Sequence, residues 1–121
     1  MNKKDLRPII SSAKVNDSMS AEEQFQNGVL RPIIKLQHNT IIALFDHYLE
    51  HSDFDITKFE AEKKLEFLKT AASRNQHLRN QFVGMILGMF TEEELAIYLN
   101  NMGEYSRRIM QMISQRIQDT Y

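Results

Sequence analysis

The sequence predicts an all-α fold, a bundle of four main helices preceded by an N-terminal arm. Apolar side chains recur every three or four residues along most of the chain, which is typical of amphipathic helices. No segment alternates apolar and polar residues between turn residues, so no strand is predicted. Two capping boxes, at Ser20 and Thr91, mark helix starts. A chain of 121 residues suits a single domain. We therefore predict one helical domain, over residues 20–121, preceded by an arm over residues 1–19.

The first main helix is predicted over about residues 21–50, with Ser20 as its N-cap. Its apolar positions form a face wide enough to be buried on two sides. Pro32 lies inside this helix, where its ring clashes with the carbonyl of Gly28 and one backbone hydrogen bond is lost. We therefore predict a kink near Pro32, and a full break at this point is the alternative.

Three further helices are predicted, over about residues 56–73, 76–90 and 92–118. Asp55 is the predicted N-cap of the first of these. Gly103 weakens the last helix locally by ~1 kcal/mol relative to Ala. The buried stripe of that helix is predicted to contain Leu95, Leu99, Met102, Ile109, Ile113 and Ile117.

The predicted helix lengths favour a homodimer. A helix of about 30 residues spans about 45 Å, which is long for so small a core. Apolar helix ends would then be exposed unless a second chain covered them. We expect the interface to come from the methionine-bearing helices over residues 78–90 and 95–118, since methionine adapts to irregular contacts.

The composition excludes several classes of protein. The chain has no Cys, which rules out disulfides, Cys-ligated metal sites and a Cys nucleophile. The net charge of −1 argues against a nucleic-acid partner. The longest apolar stretch, residues 82–90, is too short to span a bilayer, and the basic start is not followed by a signal-type apolar run. We therefore expect a cytoplasmic protein with no membrane association.

Motifs of cofactor binding and catalysis are missing from the sequence. The glycines form no phosphate-cradling loop, and no nucleophile elbow of the serine hydrolases is present. No general acid and base pair stands out among the carboxylates. We accordingly predict no cofactor, and the sequence favours a non-enzymatic role.

Two groups of residues are candidate sites. His47 and His51 are four residues apart, so they share a helix face and have the spacing of two ligands to one metal ion. An interaction of His51 with the helix dipole explains the same pattern. Arg74, His77 and Arg79 lie in an acid-free polar stretch at a helix start, which suits a bound carboxylate or phosphate. A plain solvent-exposed face and a DNA recognition helix are the alternatives there.

A short repeat links the arm to the body. Leu-Arg-Pro-Ile-Ile stands at residues 6–10 and again at 30–34. A structural repeat would extend beyond five residues, so chance or two similar helix entries explain it better. The isoleucine pairs suggest that the arm packs against the helical domain.

Several runs of the chain resemble a family of short, uncharacterised bacterial all-helical proteins. Some members of that family carry the label glyoxalase. Glyoxalase I enzymes use paired βαβββ modules, which this sequence does not predict, so we transfer no catalytic residues. The resemblance covers about residues 5 to 117 and rests on residues 6–8, 23–27, 30–37, 79–80 and 90–94.

The leading functional hypothesis is a dimeric helical protein that acts by binding a partner protein. The second hypothesis is a small-molecule or metal binder, with a possible enzymatic activity. Arg74, His77 and Arg79 would then hold an anion, or His47 and His51 a metal. A DNA-binding regulator ranks third.

Overall fold

The structure, a computed structural model, describes residues 3–10, 15–53 and 55–121. Every regular element in these ranges is helical, which confirms the all-α prediction. Among the described helices, none is both long enough and apolar enough to cross a bilayer. The elements in chain order are a 3-10 turn (Lys3–Leu6), α1 (Ala21–Phe25), a π-helical segment (Gln26–Leu30), α2 (Arg31–Leu36), α3 (His38–Glu50), a second 3-10 turn (Ile56–Lys58), α4 (Ala61–Arg74), α5 (Gln76–Leu87), α6 (Glu92–Asn100) and α7 (Met102–Thr120).

A π-helical segment, Gln26–Leu30, precedes Pro32, where the sequence predicts a kink or a full break. The backbone N–H of Arg31 donates to the carbonyl of Gln26, five residues back. Pro32 then lies in the first turn of α2, where its missing N–H matters least. The chain therefore stays helical through this proline, and the predicted helix over residues 21–50 is instead divided at Gln37, whose ψ of 8° is not helical.

The predicted helix over residues 92–118 is also divided, at Asn101. This residue has φ −151° and ψ 54°, which are not helical, so α6 ends before it and α7 starts after it. Asparagine is a poor interior residue because its side chain competes for backbone hydrogen bonds, and Gly103 follows closely. The longest described helix is α7, with 19 residues and a length of about 28 Å. The helix-length argument for a dimer is therefore wrong.

The core surrounds α7, which packs against α2, α3, α4 and α5. Its residues Ile109, Ile113 and Ile117 are completely buried, as their spacing predicts. A hydroxyl fixes the contact between α4 and α7, since Ser114 Oγ donates to the carbonyl of Lys69 at 2.9 Å.

The helix caps follow local sequence closely. Ser20 Oγ accepts a hydrogen bond from the backbone N–H of Glu23 at 3.1 Å, which confirms the predicted start of the first helix. Both hydrogen bonds of the predicted Thr91 capping box are present. Asp55 caps the 3-10 turn that precedes α4 rather than α4 itself, which begins after Glu60.

The described part of the arm is held against the α5–α6 turn by cations. Lys3 Nζ donates to the carbonyl of Phe90 at 3.1 Å. Arg7 donates to the carbonyl of Met89 at 2.8 Å and pairs with Glu94. Ile9 does not contribute to this docking, since it is 96% exposed, whereas Ile10 is half-buried. The second Leu-Arg-Pro-Ile-Ile run lies in the core instead, so the two copies adopt different structures.

Candidate functional site

An exposed apolar stripe runs along α6 and into the start of α7. Leu95, Leu99 and Met102 are 37%, 54% and 51% exposed, respectively. The two leucines are one turn apart and share a flank of α6. Glu94 and Tyr98, about a quarter-turn around α6 from the leucines, are both buried, whereas Ile97, on the side opposite the leucines, is 47% exposed. We call Leu95, Leu99 and Met102 the α6 stripe.

The α6 stripe corrects the prediction that these three residues belong to one buried face with the isoleucines of α7. The break at Asn101 interrupts the helical register, so Tyr98 of α6, rather than Leu95 or Leu99, joins the core that contains the isoleucines of α7. The paired asparagines before Gly103 were the sequence signal for this break. Of the methionines in the predicted interface, Met102 is exposed, Met110 is buried and the others are half-buried.

The accessible surface of the protein is large for its mass. It amounts to 7648 Å², whereas a compact monomer of this mass exposes about 6,800 Å². The surplus of about 800 to 900 Å² includes the surface of the arm, where Ile9 is 96% exposed.

The predicted metal ligands lie together at the C-terminal end of α3. One ligand atom each of His47, Glu50 and His51 lies within 4.8 Å of the others, and all three side chains are exposed. The two imidazole centroids are 4.2 Å apart. His51 Nδ1 lies 2.9 Å from the carbonyl of His47, so a proton on Nδ1 leaves Nε2 free as a ligand. Two imidazoles and a carboxylate are a donor set that suits Zn²⁺.

The structure does not bring the predicted anion ligands to one cavity. Arg74 ends α4 and lines a cavity of about 770 Å³ beside Tyr48 and Phe59. Arg79, on α5, lines a different cavity of about 530 Å³. His77 is exposed and lines neither of these two cavities. A single ligand held by all three side chains is therefore not favoured by their placement.

Comparison of the chain with known protein families, with curated proteins and with solved structures found no match. The resemblance to a bacterial helical family stays a prediction.

Proposed function

We propose that this protein is a helical interaction module that pairs with a second copy of itself through the α6 stripe. The exposure of Leu95, Leu99 and Met102 is the observation that carries this proposal. Contiguous apolar side chains in water are unfavourable by roughly 25 cal/mol for each Å² that a partner would cover. Exposed apolar patches of this kind are characteristic of protein contact surfaces.

A second copy suits the α6 stripe because a twofold axis brings identical surfaces together. Two antiparallel α6 helices place Leu95 of one protomer beside Leu99 of the partner subunit. The exposure of the α6 stripe replaces helix length as the support for a dimer.

Sedimentation velocity at micromolar concentration tests the proposal on the full chain. We expect a species of twice the 14.2 kDa chain mass. Replacing Leu95→Glu and Leu99→Glu together should give a monomer, because four buried carboxylates would face one another in the dimer. A matched control replaces Leu36→Glu and Leu65→Glu, two leucines of similar exposure on α2 and α4, and should stay dimeric.

A monomeric wild-type chain would refute self-association. Equal dimer populations in the wild type and in the α6 variant would show that another surface forms the interface. Thermal unfolding of each variant distinguishes loss of the interface from loss of the fold. Both leucine pairs are on exposed positions, so we expect all variants to remain folded.

A second candidate function is the binding of a divalent metal ion. The convergence of His47, Glu50 and His51 within 4.8 Å favours it. Three protein ligands would leave one coordination position of the metal ion open, as in catalytic zinc sites. This alternative does not depend on the α6 stripe, and its test is given in the Discussion.

A further inference from the structure

A basic cavity of about 550 Å³ lies between α2, the start of α3 and the C-terminal half of α7. Arg31, His38 and Arg116 line it, one from each of these helices. Asp119 is the single acidic residue among the described residues of its lining. We call this space the Arg31–Arg116 cavity. It involves no residue of the α6 stripe and none of the predicted metal or anion ligands.

The two arginines of the cavity, like Arg74 and Arg79, form no ion pair among the described residues. Arg7, Arg107 and Arg108 each form an ion pair with a glutamate. Arg31 and Arg116 have no carboxylate within 4.0 Å among the described residues. An unneutralised guanidinium in a concave, partly buried place attracts anions more strongly than one in open solvent.

The neutral contacts of these arginines leave most of their donors unused. Arg31 Nε and Nη2 both lie 3.4 Å from Asn27 Oδ1, which is a weak contact. Arg116 Nη1 donates to His38 Nδ1 at 3.2 Å. A guanidinium carries five N–H groups, so each arginine retains donors for a ligand.

Two further donors are oriented by the surrounding hydrogen bonds. Because His38 Nδ1 accepts from Arg116, the proton of its neutral ring is on Nε2. Gln26 also lines the cavity, and its Oε1 accepts from Arg108 Nη1 at 2.8 Å, so its amide N–H₂ is not used in that hydrogen bond. Asp119 is already engaged, since its Oδ1 accepts from Gln115 Nε2 at 2.9 Å.

We propose that the Arg31–Arg116 cavity binds a small molecule through a phosphate group. The cavity offers the donors of two guanidinium groups, one imidazole N–H and one amide. A carboxylate has only two oxygens to accept these hydrogen bonds, whereas a phosphate group has three terminal oxygens. The volume is larger than a phosphate group needs. Ile34 and Met112 also line it and give an apolar surface for the remainder of the molecule.

Titration with inorganic phosphate, followed by NMR of the histidine side chains and by thermal unfolding, tests this proposal. The wild-type chain should show saturable shifts of the His38 resonances and a rise in Tm. The variant Arg31→Ala with Arg116→Ala should lose both responses, with affinity weakened by about tenfold or more for each arginine. The matched control Arg74→Ala with Arg79→Ala removes the same charge from the other candidate anion residues and should respond like the wild type.

Phosphate also stabilises proteins because it is excluded from their surface, and this effect is the same for the wild type, the Arg31/Arg116 variant and the Arg74/Arg79 control. The proposal is therefore tested by the difference in phosphate response between the wild type and the Arg31/Arg116 variant. Equal responses in the wild type and the Arg31/Arg116 variant, or no saturable shift of His38 in the wild type, would overturn the proposal. If the alanine pair does not fold, Arg31→Gln with Arg116→Gln retains the side-chain stems and should give the same loss of response. Dimer formation is not needed for any of these outcomes.

Discussion

Arg7 and Glu94, 87 positions apart in the sequence, form a two-pronged ion pair that joins the N-terminal arm to α6. Arg7 Nη1 lies 2.7 Å from Glu94 Oε2, and Arg7 Nη2 lies 2.6 Å from Glu94 Oε1. The two side chains are only 7% and 6% exposed. Glu94 Oε1 also accepts from the backbone N–H of Thr91 at 2.9 Å, so the same carboxylate caps α6. One side chain thus links helix initiation to the docking of the arm.

Replacing Arg7→Met should destabilise the protein by about 3 kcal/mol, because the Glu94 carboxylate would stay buried without its counter-ion. Urea unfolding of the wild type and the variant measures this loss. Adding Glu94→Gln to Arg7→Met should restore part of the stability, since the glutamine keeps the cap and removes the unpaired charge. A decrease of the free energy of unfolding by less than about 1 kcal/mol in Arg7→Met is typical of an exposed salt bridge and would contradict the role of a buried pair.

The same pair makes stability depend on acid pH. Burial raises the pKa of Glu94, but the hydrogen bonds from Arg7 and Thr91 and the charges of Arg7 and Lys4 outweigh it and hold the pKa below its ordinary value of 4.5. A depressed pKa in the folded state adds stability above pH 4.5, and this stability is lost as the pH falls through the folded-state pKa. The free energy of unfolding should therefore decrease as the pH falls below 4.5.

The decrease should be smaller in Glu94→Gln than in the wild type when both are unfolded in urea across this pH range. Glu104 adds to the wild-type slope, since hydrogen bonds from Arg107 and Arg108 lower its pKa to about 2. The variant Glu104→Gln is therefore the control for a carboxylate that is paired away from the arm and is less buried than Glu94. Parallel slopes in the wild type and Glu94→Gln would show that the Glu94 pair does not carry the pH dependence.

Local chemistry in the sequence predicts several parts of this molecule. Ser20 and Thr91 start helices because the groups they cap lie three residues ahead. The four-residue spacing of His47 and His51 places their rings together for the same local reason. Where partner groups are close in the chain, the sequence is sufficient to identify them.

Other parts depend on partners that are far apart in the chain. The arm was expected to pack through its isoleucines, whereas Arg7 meets a carboxylate 87 positions away. Arg31 and Arg116 converge on one cavity only because α2 packs against α7. The exposure of Leu95 and Leu99 follows from the break at one residue, Asn101, which the helical periodicity of the sequence does not reveal. Tertiary packing decides each of these features, and the sequence pattern alone leaves them open.

Zinc should bind the wild-type chain in a one-to-one ratio, through His47, Glu50 and His51. Isothermal titration calorimetry above pH 7 measures it, because both imidazoles must be neutral to act as ligands. His47→Ala with His51→Ala should abolish binding, and Glu50→Gln should weaken it about tenfold or more.

The matched control for the zinc experiment is His77→Ala, which removes an exposed histidine on α5. It should bind zinc like the wild type. If the wild type releases no heat with zinc, or if His77→Ala lowers the affinity as much as the His47 and His51 changes do, the metal site is wrong. The stacking of the two imidazoles at the helix end would then have no metal-binding role.

The charge of Asp119 should oppose phosphate in the Arg31–Arg116 cavity, so Asp119→Asn should strengthen phosphate binding by about two- to fivefold. The asparagine oxygen can still accept from Gln115 Nε2, so the local hydrogen bond is retained. The measurement is the phosphate titration of the His38 resonances. Asp46→Asn, which removes an equal charge from an exposed position on α3 outside the cavity lining, is the control and should leave the affinity unchanged. Equal gains in both variants would show that net charge, rather than the cavity, governs the response.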